Sequence, residues 1–326
     1  MSKKMTTMIV GTAVTLAMFG AAPAMADYPE KPITIVYPWP AGDPTTAIMR
    51  TIGELASEKL GQPIVVNSVT GAGGTKALTA GATADADGYT IVSNWVAAQV
   101  GAKLFNPDLP FENDSFVPIG NVYGIPFTLT VAIDHPANTI TEYVEWAKAE
   151  DKTLNYGVCA PQSVPRLIGE QFMQVAALDY NPIPFGGGCG GDNMTGLLNG
   201  SLDVSVGIVP LVNVFEGQIK HLGLITDDSH PIAPDLQTAA DSGYPIGWGS
   251  AALGWGGLAV PAGTPDDVVA SLQATFGEVL QGDELATALG GGSAIINYLE
   301  PAEFQELWGS SFTLLKPAVD AILKAQ

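Results

Sequence analysis

Short apolar runs alternate with longer amphipathic segments along most of the chain. A β-branched run occupies 33–37, apolar residues then recur at helical spacing from Ile48 to Leu60, and Gly61 follows. This pattern predicts a strand and then a helix that begins near Pro44 and ends at Gly61.

Later segments repeat this alternation. Short β-rich runs at 64–66 and 89–92 predict two more strands. Thr139, followed three residues later by Glu142, forms a capping box that predicts the start of a helix. Apolar residues recur at helical spacing over 304–315 and predict another. Alternation at this density favours an α/β fold with mainly parallel sheets, which bind ligands at the carboxyl ends of their strands.

The first residues indicate export. Lys3 and Lys4 precede a short apolar run at 8–19, and a small-x-small pattern ends at Ala26. This is typical of a signal peptide that spans 1–26 and is cleaved after Ala26, which places the mature protein in the periplasm. The alternative is an uncleaved N-terminal anchor.

The composition of the chain argues against several classes of function. The chain has 326 residues, of which 13 are Lys or Arg and 33 are Asp or Glu, so its formal net charge is −20. Such a charge argues against nucleic acid as a partner. Two cysteines and three histidines are too few for a metal site built from several of them. No nucleophile elbow, zinc-protease or phosphate-loop motif is present, so no catalytic residue, cofactor or metal is predicted. The many acids leave open a carboxylate pair for hydrolysis.

A series of motifs in fixed order resembles one family. The motifs are PWPAG at 38–42, LGQPIVVN at 60–67, GAGG at 71–74, ADGYT at 86–90 and VPAGTP at 260–265. Each is weak alone, but their order and spacing resemble the Bug family of periplasmic substrate-binding proteins, which serve tripartite tricarboxylate transporters. The resemblance runs nearly from end to end.

The resemblance implies a type II-like periplasmic binding protein with two α/β lobes, two crossover strands and a ligand cleft between the lobes. Lobe 1 is expected at 27–125 and 253–326, and lobe 2 at 126–252. The implied function is capture of a small carboxylate, or a close relative, by a monomeric protein without enzymatic activity, for delivery to the membrane subunits of the transporter. Alternatives are a binding protein that feeds a sensory kinase and, from another class, an exported hydrolase.

Family members hold their ligand with loops from both lobes, through backbone N–H groups, hydroxyls and waters. Carried onto this chain, the resemblance and the cleft position predict a set of ligand-binding residues. They are Trp39, Pro40, Ala41, Gly42, Asp43, Thr46, Ser93, Asn94, Trp95, Cys159, Ser163, Arg166, Gly187 and Gly188. Of the tryptophans near the cleft, Trp39 and Trp95 are expected to line it, although tryptophan more often packs in a core. Trp248 and Trp255 are expected to pack.

The first-lobe loop departs from the family pattern P-x-P-A-G-G-x-x-D. Asp43 replaces a glycine and Thr46 replaces the aspartate. Asp43 is either a helix N-cap that accepts the N–H of Thr45 or Thr46, or it accepts a hydrogen bond from the ligand. Its negative charge weakens the assignment of a simple carboxylate.

The second-lobe loops also differ. Arg166 stands where the family commonly has histidine, in a first helical turn that disfavours a cation. It indicates either carboxylate binding through the guanidinium or a salt bridge at the surface or between the lobes. Ser163 keeps a hydroxyl of the family. The glycine-dense segment at 186–191 corresponds to the second gripping loop, or is only a flexible loop.

By the same alignment, Cys159 and Cys189 each fall in a second-lobe loop that faces the cleft, where relatives carry small residues. Because export favours disulfides, we predict that these two cysteines are bonded to each other. The alternative is two buried thiols that behave as small apolar side chains.

Overall fold

The computed structural model describes residues 28–158, 163–185, 191–209, 214–290 and 295–325. The predicted signal peptide lies outside these ranges, as do Cys159, Gly187, Gly188 and Cys189. Within them, no helix is both long and apolar enough to cross a membrane.

Within these described ranges the strands form two sheets, and the first has six strands, in the order β11-β4-β10-β3-β1-β2. They are β1 (Ile33–Tyr37), β2 (Ile64–Ser68), β3 (Thr90–Trp95), β4 (Phe116–Ile125), β10 (Gly254–Pro261) and β11 (Ile296–Leu299). The second sheet has five strands, in the order β7-β6-β8-β5-β9. They are β5 (Phe127–Ala132), β6 (Leu154–Val158), β7 (Tyr180–Pro184), β8 (Val204–Ile208) and β9 (Ile219–Leu224).

Helices follow most of the strands and cover both sheets. They are α1 (Pro44–Leu60), α2 (Thr75–Ala82), α3 (Ala102–Phe105), α4 (Ile140–Glu150), α5 (Val164–Val175), α6 (Gly191–Leu198), α7 (Asp266–Gln281), α8 (Asp283–Leu289) and α9 (Pro301–Ala325). A π-helical turn at Ala97–Gly101 joins β3 to α3. Each sheet with its helices forms one lobe, so the α/β two-lobe fold predicted from the sequence is confirmed.

The expectation of mainly parallel sheets is wrong. Strands β1, β2 and β3 are parallel to one another, as are β6, β7 and β8, but β10 runs antiparallel to β3 and β4, and β5 antiparallel to β8 and β9. The cause is the chain path. Strand β4 carries the chain out of the first lobe and β10 brings it back, so these neighbours must run in opposite directions.

The two crossings lie side by side. The chain changes sheet between Ile125 and Phe127 and returns just before Gly254, and Gly254 pairs directly with Ile125 in the β4–β10 ladder. Strand membership therefore changes close to the predicted lobe boundaries. The division into 27–125 with 253–326 and 126–252 stays a prediction.

Local chemistry fixes the bounds of α1. Asp43 has extended backbone and caps the first turn, Pro44 occupies the first helical position, and Gly61 ends the helix at φ 67°. Between them, Met49 and Ile52 are fully buried against the first sheet. The predicted bounds of this helix are confirmed.

Two other predicted elements are present but differ in detail. Thr139 caps α4 by accepting the N–H of Glu142 at 3.1 Å. A full capping box would have the Glu142 carboxylate accept the N–H of Thr139, but it accepts the N–H of Asn138 instead. Strand β3 continues past Val92 to Trp95, so it is longer than its β-rich run indicated.

Candidate functional site

The carboxyl ends of the parallel strands lie at the edges of the two sheets next to the crossings. In the first sheet, β1, β2, β3 and β4 all end at the edge from which the chain leaves at Ile125. In the second sheet, Phe127 opens β5 and pairs with Ile208, the last residue of β8, so β6, β7 and β8 end at that edge. These strand ends therefore lie at the facing edges of the two sheets, which is where α/β proteins bind ligands.

The loop after β1 is held from behind. Thr46 is fully buried and its hydroxyl donates to the Pro40 carbonyl at 2.9 Å, while Arg50 Nη1 donates to the Ala41 carbonyl at 3.4 Å. Pro40, Ala41 and Gly42 remain exposed. Thr46 thus holds this loop in place through the Pro40 carbonyl.

Asp43 is the N-cap of α1. Its carboxylate accepts the Thr45 N–H at 2.8 Å and also the Thr45 hydroxyl. The capping role proposed for Asp43 from the sequence is confirmed, and it has an electrostatic consequence. A negative charge now stands where a helix N-terminus would otherwise attract an anion.

The loops after β1, β2 and β3 meet. A Cβ placed on Gly74, which has φ 99°, would come within 3.3 Å of Pro38 and 3.1 Å of Ala98. Three segments that are distant in sequence therefore touch at the carboxyl edge of the first sheet. A side chain at Gly74 would separate them, which explains the glycine.

An aromatic group lines the same edge. Trp95 stacks on Tyr123 with ring centroids 5.0 Å apart, and Trp39 approaches Trp95 edge-on at 5.8 Å. Gly256 lies directly under Trp95, since a Cβ there would come within 2.7 Å of the indole. Trp95 is only 7% exposed, whereas Trp39 is partly exposed. Trp39 is thus the more accessible of the two rings. Trp255, by contrast, is fully buried, as predicted.

Polar side chains at the end of β3 differ in their pairing. Ser93 is buried and accepts the Trp95 indole N–H at 3.2 Å. Asn94 and Gln99 are fully buried, and neither amide has a hydrogen-bond partner among the described residues. A buried polar group left without a partner costs about 1–3 kcal/mol, so two complete amides without partners call for a reason.

Sequence reasoning missed Gln99. The signal was its place as the one polar residue in the segment 96–102, where all the others are small or apolar. The segment forms a π-helical turn, a feature that is frequent at functional sites.

In the second lobe, Ser163 caps α5, and its hydroxyl accepts the Arg166 N–H at 3.4 Å. Arg166 Nε lies 2.5 Å from Glu170 Oε1, with the two side chains 13% and 7% exposed. This salt bridge lies within α5 and both side chains are largely buried. It is therefore neither a bridge at the surface nor one between the lobes. Glu170 balances the guanidinium charge, so Arg166 adds little net positive charge to this edge.

Across the described ranges, no group of three or more His, Cys, Asp or Glu side chains is placed to hold a metal ion. The structure brings Trp39, Asp43, Ser93, Asn94 and Trp95 together at the first sheet's edge. Ser163 is the N-cap of α5 and follows the last residue of β6 by five positions.

Comparisons with known proteins point the same way. A family model described as tripartite tricarboxylate transporter family receptor matches residues 48–296. The chain is 30% identical over 267 residues to a UPF0065 protein of Bordetella pertussis, covering 78% of this chain and 79% of that protein. It also resembles the solved periplasmic binding protein BugD, with 26% identity, a TM-score of 0.71, and coverage of 90% and 98%. MatC from Rhodopseudomonas palustris with bound malate shows 25% identity, a TM-score of 0.70, and coverage of 90% and 100%.

Proposed function

We propose, since the chain belongs to the receptor family of tripartite tricarboxylate transporters, that it captures a small organic acid or a close relative and delivers it to the membrane subunits of such a transporter. Receptors of this family are periplasmic solute-binding proteins rather than enzymes. One observation of the structure carries the proposal. The parallel strands of both sheets end at facing edges, beside two adjacent crossings about which lobes can close on a ligand.

The proposed ligand carries at least one carboxylate. MatC, a relative with the same fold, was solved with malate, a small carboxylate, and this supports the ligand class. In this chain we assign the ligand contacts to Trp39 and the exposed backbone at 40–42 in lobe 1. In lobe 2 we assign them to Ser163 and, outside the described residues, to Cys159, Gly187 and Gly188. Arg166, which pairs with Glu170, is a further candidate contact in lobe 2.

The proposed location is the periplasm, reached through the signal peptide at 1–26. Its sequence pattern and the location of the family's receptors support this. N-terminal sequencing of protein purified from the periplasmic fraction should begin at Asp27. Protein that retains Met1 would indicate an uncleaved anchor instead.

The function can be tested by denaturing the purified protein and identifying the released compound by mass spectrometry. A receptor should release one intact small acid, or its amide or hydroxy derivative, in near-stoichiometric amount. An exported hydrolase should release product or nothing, and that outcome would reject the proposal.

A matched pair of tryptophan variants tests where the ligand lies. Trp39→Leu should weaken binding of the released compound about tenfold or more in calorimetry, because an aromatic contact and its buried area are lost. Trp146→Leu is the control, since Trp146 is also partly buried but lies on α4 against His135, away from the facing edges. Equal affinities in the two variants would remove Trp39 from the site.

A further inference from the structure

Several buried side-chain atoms without a partner lie near the carboxyl ends of strands in the first lobe. Twelve such atoms occur in the described part of the chain, and five of them belong to Ser68, Asn94 and Gln99. Ser68 ends β2, Asn94 is next to last in β3, and Gln99 lies in the turn that follows β3. These five atoms therefore lie at or just beyond the carboxyl ends of β2 and β3.

The surroundings of the two amides are apolar. Asn94 shares its face of β3 with Val92, which touches Gly81 of α2. On the neighbouring strand Asn94 pairs with Gly257, against which Phe304 of α9 packs. The turn that holds Gln99 also presents Val100 to the core. Nothing in this wall supplies a hydrogen bond to either amide.

A primary amide offers a donor and an acceptor together. Its full complement is therefore a group that also donates and accepts, such as a hydroxyl or another amide. A carboxylate only accepts, so it would leave the two amide oxygens unpaired, and it would also meet the negative charge of Asp43 at the same edge.

We propose that Asn94 and Gln99 form a lobe 1 subsite that reads a neutral hydroxyl or carboxamide of the ligand, and so select hydroxy acids or acid amides over unsubstituted dicarboxylates. This inference rests on the proposed receptor function. It places the neutral group of the ligand toward lobe 1.

Three probes of matched size test the selection: succinate, malate, which adds one hydroxyl, and succinamate, which replaces one carboxylate by a carboxamide. Calorimetry on the wild-type protein, freed of bound compound, should show malate or succinamate binding about tenfold or more tighter than succinate, since a subsite built for a polar group rejects the analogue that lacks it. Succinate binding as tightly as both would overturn the inference.

Gln99→Met separates function from packing. The change removes an unpaired amide but keeps an unbranched side chain, so the melting temperature should equal or exceed that of wild type. The selectivity ratio, which is the affinity for malate or succinamate divided by the affinity for succinate, should fall toward one. Gln273→Met is the matched control in the same lobe, because Gln273 Nε2 donates to the Pro118 carbonyl at 2.9 Å. It should lower the melting temperature and leave the ratio unchanged.

The selectivity ratio decides the matter even where stability moves. If Gln99→Met keeps the wild-type ratio, the amide serves the fold or a structural water and the inference fails, whatever the melting temperature does. A wild-type protein that releases no compound and binds none of the probes would instead remove the receptor function itself.

Discussion

Arg166 and Glu170 form an ion pair one turn apart on α5, with 2.5 Å between Nε and Oε1. Tyr180 donates to the other carboxylate oxygen of Glu170 at 3.5 Å. Both charged side chains are nearly buried, so removal of either leaves the other in an environment that poorly solvates it.

Arg166→Ala should therefore destabilise the protein by about 3–5 kcal/mol, measured by urea unfolding. The double variant Arg166→Met with Glu170→Met should be close to neutral, because it removes both charges together. If Arg166 also bonds a ligand carboxylate, the double variant should lose about 1.5–3 kcal/mol of binding free energy. A stable double variant with wild-type affinity would show that the guanidinium serves only the helix.

Asp43 can be tested against its own cap geometry. Asp43→Gly should cost only a few tenths of a kcal/mol of unfolding free energy, while Asp43→Ala should cost about 1 kcal/mol, since glycine is a tolerable N-cap and alanine is not. The control is Thr139→Ala, which removes the cap of α4. It should lower the free energy of unfolding about as much as Asp43→Ala does, without any change in ligand binding. If Asp43 also faces the ligand, Asp43→Gly should shift specificity toward plain carboxylates, and equal specificity would limit Asp43 to capping.

The histidines should make stability depend on pH. Burial lowers the pKa of His135, His221 and His230 below the ordinary value of about 6.5. The unfolded chain then binds more protons than the folded one below that value, so this stability is present above pH 6.5 and is lost as pH falls through the folded pKa values. The melting temperature should fall between pH 7.5 and pH 5.5.

His221 is the best placed to report this effect. Its Nε2 lies 3.1 Å from the Val209 carbonyl and its Nδ1 lies 2.9 Å from the Thr130 hydroxyl. Because a carbonyl only accepts, Nε2 carries the proton and Nδ1 accepts from Thr130. His221→Gln should reduce the drop in melting temperature toward pH 5.5, and an unchanged drop would assign it to other groups.

The predicted disulfide between Cys159 and Cys189 lies outside the described residues, but its flanks are described. Val158 pairs with Pro184 in the parallel β6–β7 ladder, and the Phe185 N–H donates to the Val158 carbonyl at 3.0 Å. Cys159 follows Val158 directly, and Cys189 follows Phe185 by four residues. The segments that contain the two cysteines therefore start from the ends of two neighbouring strands, β6 and β7.

Thiol titration of the unfolded, unreduced protein should find no free thiol. The bond would close a loop across 30 positions, so reduction should cost roughly 3–4 kcal/mol in the chain-entropy model. Reduction should also weaken ligand binding, because the segment after β7 loses a constraint at the facing edge. Two titratable thiols would reject the bond.

The sequence was sufficient wherever local chemistry decides the structure. Helix α1 begins and ends at Pro44 and Leu60 because an Asp cap, a first-turn proline and a left-handed glycine are all signals within one segment. The strand directions were not predictable in this way. They depend on the pairing of β4 with β10, which are more than a hundred residues apart.

The site shows the same division. The capping role of Asp43 follows from its neighbours in sequence. The Arg166–Glu170 pair could also have been predicted, since a spacing of four residues places both on one helix face. The burial of Gln99 could not be inferred, because it results from the contact of its turn with segments distant in sequence, such as Gly74 at Ala98.

The pairing of Gly254 with Ile125 has a mechanical consequence. Two separate linkers would let the lobes bend, twist and slide, but two strands tied by a shared ladder resist twisting and sliding more than bending. The connection should therefore allow hinge bending about a single axis and restrict other relative motions of the lobes. An insertion into only one of the two crossings would shift one strand of the ladder against the other, and should loosen this restriction more than equal insertions into both.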